Sequence, residues 1–153
     1  MERVIENRVF IACAPTQVYD YVTQPWRWHE WHPSSQSAVS DARVMAKGAR
    51  FDEVIRLQPL SPLPLTIRRQ TRYQVVQAER GVCWEVRGET AGGDLSIRYE
   101  LREDGEGTQF FRRLRYQVTG VMRVVEPLLY PRMQTLSRVA LNNLCQRLQN
   151  GKT

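Results

Sequence analysis

The chain has 153 residues, 42% apolar and 25% charged, which suits one globular domain with a buried core and excludes disordered and fibrous classes. Its net charge of +6 is carried by arginine, because Lys47 and Lys152 are the only lysines among 22 basic residues. Cys13, Cys83 and Cys145 are too few and too scattered for a disulfide framework, and no run approaches the ~18 consecutive apolar residues of a membrane span.

Met1-Glu2-Arg3 leads directly into a strand pattern with no signal-peptide core, so the expectation is a cytoplasmic protein of one domain, residues 1–153, with buried free thiols. Val4 to Cys13 alternates as a first strand. Pro15 suits a helix first turn, where its missing N–H costs nothing, and Val18, Tyr19 and Val22 form an apolar stripe behind it. Pro25 opens a second short helix, in which Trp28 and Trp31 share a face before Pro33 ends it. Two short helices directly after a first strand can close one end of a curved sheet. Trp26 is expected partly exposed near an entrance.

Ser34 to Ala49 reads as a short strand and a turn, and Gly48 precedes the third strand, where Phe51, Glu53, Ile55 and Leu57 share a face. The stretch from Gln58 to Pro64 holds three prolines that remove ladder donors, so it reads as a mobile loop or edge crossing. Leu65 to Val76 returns as a strand, with Ile67, Arg69, Thr71 and Tyr73 on one face. Turns at Glu79-Arg80-Gly81 and Gly92-Gly93-Asp94 frame strands over Val82 to Thr90 and Leu95 to Arg102, the latter with clean in/out alternation. Asp104-Gly105-Glu106-Gly107 is a hairpin signal before a last strand, Thr108 to Thr119. Leu129, Met133, Leu136, Ala140, Leu144 and Leu148 then mark one long amphipathic helix. Pro131 within it predicts a kink, or a separate turn before residue 131.

Strand, two short helices, six-strand meander and long C-terminal helix is the order of the helix-grip fold. On Ala14-Pro15 with Val18 and Val22, on Trp28, Trp31 and Pro33, and on Gly48, Trp84 and Gly105 to Thr108, the chain resembles the START-like (SRPBCC) superfamily, most of all its polyketide cyclase/dehydrase and lipid-transport branch. The resemblance implies an α+β fold in which a strongly curved seven-stranded antiparallel sheet wraps the long helix around an apolar cavity. Packing logic agrees: one helix cannot cover both faces of such a sheet, so one face stays solvated and the other curls.

Chemistry-bearing motifs are sparse. His29 and His32 in His-Glu-Trp-His are one residue short of the zinc-protease spacing and lack a third ligand, so they read as surface histidines flanking a packed Trp31, with no metal and no cofactor. Gly92-Gly93 and Gly105-Glu106-Gly107 join strands and open no helix, so they cradle no phosphate. The sharper candidates are polar residues whose strand parity points inward: Glu53, Arg69, Tyr73, Tyr99, Arg112 and Tyr116. A charge there is costly unless paired or hydrated, so Arg69 or Arg112 reads as a group orienting a ligand carboxylate, enolate or phenolate, as half of a structural Glu–Arg pair, or as a strand-end arginine that reaches solvent. Trp31, Phe51, Ile55, Trp84, Ile97, Leu114, Leu129, Met133 and Leu136 complete the expected lining, with core filling the alternative for the large aromatics.

The function expected is binding or transport of a small apolar molecule (lipid, polyketide, quinone or aromatic compound), with no catalytic residue assigned. One alternative is an aromatase/cyclase-like enzyme using cavity Arg, Tyr or Glu. Another is an arginine-rich module for RNA, ribosome or protein, which the lack of aromatic interleaving disfavours. Neither monomer nor homodimer is selected by these features.

Overall fold

The computed structural model describes residues 2–57 and 66–151. The expected loop from Gln58 to Pro64, and Leu65 after it, lie outside the described residues. Seven strands follow in chain order: β1 Glu2–Ile11, β2 Ser35–Val39, β3 Arg50–Leu57, β4 Ile67–Glu79, β5 Cys83–Thr90, β6 Gly93–Asp104 and β7 Gly107–Val118. All pair antiparallel in one sheet of order β1-β7-β6-β5-β4-β3-β2, curled into a half-barrel. This is the α+β helix-grip arrangement that the element order predicts.

Each boundary has a local cause. Gly92 and Gly105 take positive φ (101° and 60°) in the tight turns before and after β6, a conformation that costs a Cβ-bearing residue strain. Register shifts at Ser35/Ser37 in β2 and Val75/Gln77 in β4 add local twist where the sheet bends. The second shift carries β4 on to Glu79, past the Val76 end expected from alternation.

Helix α1, Pro15–Val22, starts with Pro15 in its first turn and buries Val18, Tyr19, Tyr21 and Val22. A 3₁₀-helix, Pro25–Glu30, follows. Its three-residue turn brings Trp28 above Trp31, and both rings are buried, at 3% and 1% exposure. Trp28 Nε1 donates to the Val22 carbonyl at 2.8 Å, locking the two short helices together. Trp26 is partly buried with Arg43 over its ring, and His29 is exposed.

Helix α2, Met122–Asn150, is one 29-residue helix containing both Pro127 and Pro131. The separate turn expected before residue 131 is absent, because the helix begins five residues ahead of Pro127 and runs through both prolines. Sheet contacts hold that early stretch. Arg3 on β1 donates through Nε (2.6 Å) and Nη2 (3.3 Å) to the Glu126 carboxylate, and Tyr116 on β7 donates to the same group at 3.2 Å. Farther along, Ser137 donates to Asn7 and Ala12 N–H to Gln149, so α2 runs alongside β1 in the same direction. Cys13 and Cys83 are buried, Cys145 is partly buried, and all three are free thiols.

Candidate functional site

The inward face of the sheet divides along the strands. At one end five aromatic rings lie side by side across β3 to β7. Phe51 stacks on Tyr73 (centroids 4.7 Å), Trp84 stacks on Tyr99 (5.4 Å), and Phe110 tilts against Tyr99 (5.1 Å). Trp28 stands edge-on to Phe51, Tyr73 and Trp84, capping the row. Edge and stacked contacts of this kind favour tight filling. Trp84 Nε1 donates to the Met45 carbonyl at 3.0 Å, so its polar edge is satisfied too.

Farther along the same strands the inward positions shrink. Gly88 on β5 faces Tyr73 on β4, and a Cβ there would stand 2.7 Å from the Tyr73 ring. Beyond the aromatic row lies a cavity of about 70 Å³, walled by Ile55, Leu57, Leu95, Ile97 and Leu114 from the sheet and by Met133 and Leu136 from α2. One water needs roughly 10–15 Å³ of such space, so the cavity has room for a small organic molecule fragment.

A polar seam separates the filled end from the hollow one. Glu53 is 5% exposed and accepts from the Tyr73 hydroxyl at 3.1 Å. Burial pushes its carboxyl up to about 7, against the opposing pull of the Ser35 and Tyr73 side chains and the Arg112 charge. Arg112 is 4% exposed, and its Nη1 donates to the Ser137 hydroxyl at 3.0 Å. Its Nη2 lies 3.4 Å from His32 Nε2. Burial and the adjacent guanidinium push the His32 imidazole down to about 3, so the ring is neutral near pH 7. Burial raises the Tyr73 and Tyr99 hydroxyls well above their usual range, which keeps both protonated.

Of the residues singled out in the sequence, Trp31, Glu53, Ile55, Tyr73, Ile97, Tyr99, Arg112, Leu114, Met133 and Leu136 line this cavity. Phe51 and Trp84 do not: strand parity turns them inward, but their positions along β3 and β5 place them in the filled row. Tyr116 and Leu129 are also inward, at the start of α2, where Tyr116 binds Glu126 and Leu129 packs with Leu57 and Met122. Arg69 lies near the same helix start, with Nη2 3.2 Å from the Met122 sulfur. The structural Glu–Arg pair is not formed, since Glu53 has no ion-pair partner among the described residues and is held by Tyr73.

His32 corrects an expectation. It is no surface histidine, because the Trp28 carbonyl accepts its backbone N–H at 2.7 Å and turns the ring into the cavity. Its short His-Glu-Trp-His spacing is not that of a protease-type metal helix, and it says nothing of which way the ring faces. Trp28, Ser34, Ser35, Leu57, Leu95 and Ser137 also line the cavity and were not singled out. The strand parity that selects Phe51 and Glu53 also selects Leu57, and that of Ile97 selects Leu95. Ser137 falls four residues after Met133 and three before Ala140, on the same α2 stripe, and a search for apolar side chains alone passes over it.

Comparison with known proteins agrees with this architecture. No curated protein matches the chain by sequence. Among solved structures, a protein from Thermus thermophilus is 15% identical with a TM-score of 0.74, covering 99% of this chain and 100% of its own. The Zhui aromatase/cyclase of Streptomyces is 13% identical with a TM-score of 0.74, covering 97% and 94%. A START superfamily protein of Mycobacterium smegmatis is 12% identical with a TM-score of 0.71, covering 96% and 97%. At such identities these likenesses establish fold alone. The family profile described as polyketide cyclase / dehydrase and lipid transport, which supports a ligand-binding role, matches residues 2–149. Sheet, gripped helix, cavity and profile agree: the chain belongs to the polyketide cyclase/dehydrase and lipid transport family.

Proposed function

We propose that this protein binds and carries a small apolar molecule, such as a lipid, polyketide, quinone or aromatic compound, in the cavity between the sheet and α2. The carrying observation is the mismatch in filling: aromatic rings close one end, while aliphatic side chains and Met133 leave about 70 Å³ at the other. An apolar wall supplies affinity and the few polar groups of the seam supply orientation. Met133, unbranched and flexible, lets the wall adapt to ligand shape. Native mass spectrometry of freshly purified protein, with thermal shifts across a lipid and polyphenol panel, tests the reading. A bound small molecule or a dose-dependent rise in Tm is expected, and a bare chain with no shift across the panel overturns it.

A second reading, a cyclase-like enzyme, is favoured by Glu53. A carboxyl near 7 beside a tyrosine hydroxyl at 3.1 Å can give or take a proton at neutral pH, as enolisation of a bound chain requires. Turnover of a poly-β-keto thioester that disappears in Glu53→Gln supports it, and absence of turnover removes it. Three outer-face arginines are already engaged by carboxylates, Arg98 by Glu85 and Glu100, Arg113 by Glu6 and Arg115 by Glu2, which reduces the charge open to an RNA backbone. No described helix is long and apolar enough to cross a membrane, and the cytoplasm is the compartment proposed.

A further inference from the structure

The polar seam has more donors than acceptors, and their geometry indicates what the ligand must bring. His32 Nδ1 accepts the backbone N–H of Ser34 at 3.1 Å. A neutral imidazole has one donor and one acceptor nitrogen, so this bond places the ring proton on Nε2. Nε2–H therefore faces Arg112 Nη2 across 3.4 Å, donor against donor. Arg112 Nε is buried with no partner among the described residues, and so is Nε1 of Trp31, a second cavity wall.

The open edge of Arg112 is its Nε/Nη2 side. Elsewhere in this molecule that same edge holds carboxylates side-on: Arg3 on Glu126 at 2.6 and 3.3 Å, and Arg80 on Asp20 at 3.0 and 2.6 Å. In both cases the two oxygens match the two parallel N–H groups. The nearest internal carboxyl at the seam, Glu53, is engaged by Tyr73 instead.

We infer that the Nε/Nη2 edge of Arg112 and the Nε2–H of His32 form a carboxylate clamp, and that the cavity ligand is an apolar monocarboxylate whose body lies against Met133 and Leu136. The inference rests on the ligand-binding reading above and specifies its chemical class. His32 acts as a fixed neutral donor, and Ser34 is a positioning residue that sets its tautomer. An anion held by a buried guanidinium and a neutral N–H makes charge-assisted bonds that an alcohol of the same shape cannot match.

The test compares benzoate, pentafluorophenolate and benzyl alcohol by NMR titration at about pH 6, below the Glu53 range of about 7. Benzoate is expected to bind about tenfold or more tightly than benzyl alcohol. His32→Leu should bring that ratio to about threefold or less, and His32→Gln, which keeps an N–H donor, should restore it. Equal binding of benzoate and benzyl alcohol, or an unchanged ratio in His32→Leu, overturns the clamp while leaving the cavity reading standing. Pentafluorophenolate binding more tightly than benzoate overturns the carboxylate assignment in favour of a phenolate or enolate. No cavity resonance shifting with any of the three overturns both clamp and ligand-binding reading. Long-range ¹H–¹⁵N correlation of the free protein gives an independent measure: the Nε2–H tautomer of His32 is expected, and an Nδ1–H signal contradicts the clamp.

Discussion

The two ends of the sheet's inner face are built from the same strands yet behave oppositely. On β3, Phe51 is packed in the aromatic row while Ile55 and Leu57 wall a hollow; on β5, Trp84 fills and Gly88 gives its space to the Tyr73 ring. On β7, Phe110 fills, Arg112 marks the border and Leu114 faces the space. Filling is decided by side-chain size two or four residues along each strand, while curvature and backbone pairing continue unbroken. One end provides rigidity. The other, faced by the conformationally soft Met133 and Leu136, provides volume, and the charged groups sit where the two meet.

Replacing a side chain in the row should cost most. Trp84→Ala removes a fully buried ring and its bond to Met45, an expected loss of about 3–5 kcal/mol, against about 1–2 kcal/mol for Leu136→Ala at the cavity wall. Urea denaturation of both variants measures the difference, and comparable losses would erase the distinction between the two ends.

The seam should show next, in the pH dependence of stability. Glu53 is raised from 4.5 to about 7, so its contribution is present below pH 4.5 and is lost as pH rises through about 7. His32 is lowered from 6.5 to about 3, so its contribution is present above pH 6.5 and is lost as pH falls toward 3. Between pH 4.5 and 6.5 the two oppose each other and the wild-type profile should be nearly flat. Glu53→Gln removes one side of the balance. Its stability relative to wild type should climb with pH between 4.5 and 7, by at most about 3 kcal/mol. Parallel profiles in chemical denaturation would show that Glu53 is not held at a raised value.

Gly88→Ala probes the step from filled to hollow. Its new Cβ would meet the Tyr73 ring at 2.7 Å and Thr71 Cγ2 at 2.9 Å, at an expected cost of about 1–3 kcal/mol. The displaced Tyr73 should also loosen its bond to Glu53, and because that bond favours the carboxylate, the Glu53 carboxyl titration followed by ¹³C NMR should move further up. The smallest effect on stability belongs to Leu136→Phe, which adds bulk at the cavity wall and should change stability by about 1 kcal/mol or less. Its signature is functional: thermal shifts with apolar ligands should vanish, and if they persist the ligand lies elsewhere.

Much of the seam was legible in advance because a strand repeats every two residues. Parity alone turns Glu53, Tyr73, Tyr99 and Arg112 to the same side, and the structure brings all four to one cavity. Parity carries no information on position along the strand axis, so Phe51 and Trp84 were grouped with cavity residues from which several ångströms of strand separate them. His32 was misjudged because its direction depends on the 3₁₀ geometry of Pro25–Glu30 and the bond to Trp28. The turn expected before Pro131 does not form, because α2 begins at Met122 and its first turns are held to the sheet by Arg3 and Tyr116 through Glu126, contacts no local pattern shows.

The sequence by itself determined the order of elements, the inward and outward faces, the family likeness and the absence of a zinc-protease spacing. These depend on periodicity and on prolines and glycines acting within a few residues, so they can be read locally. Tertiary structure alone decided where the hollow lies, which arginine edge stays open, and that His32 meets Arg112 inside the cavity. Each of those depends on volumes, burial and partners drawn from strands and a helix far apart in the chain, and no local pattern encodes such a sum.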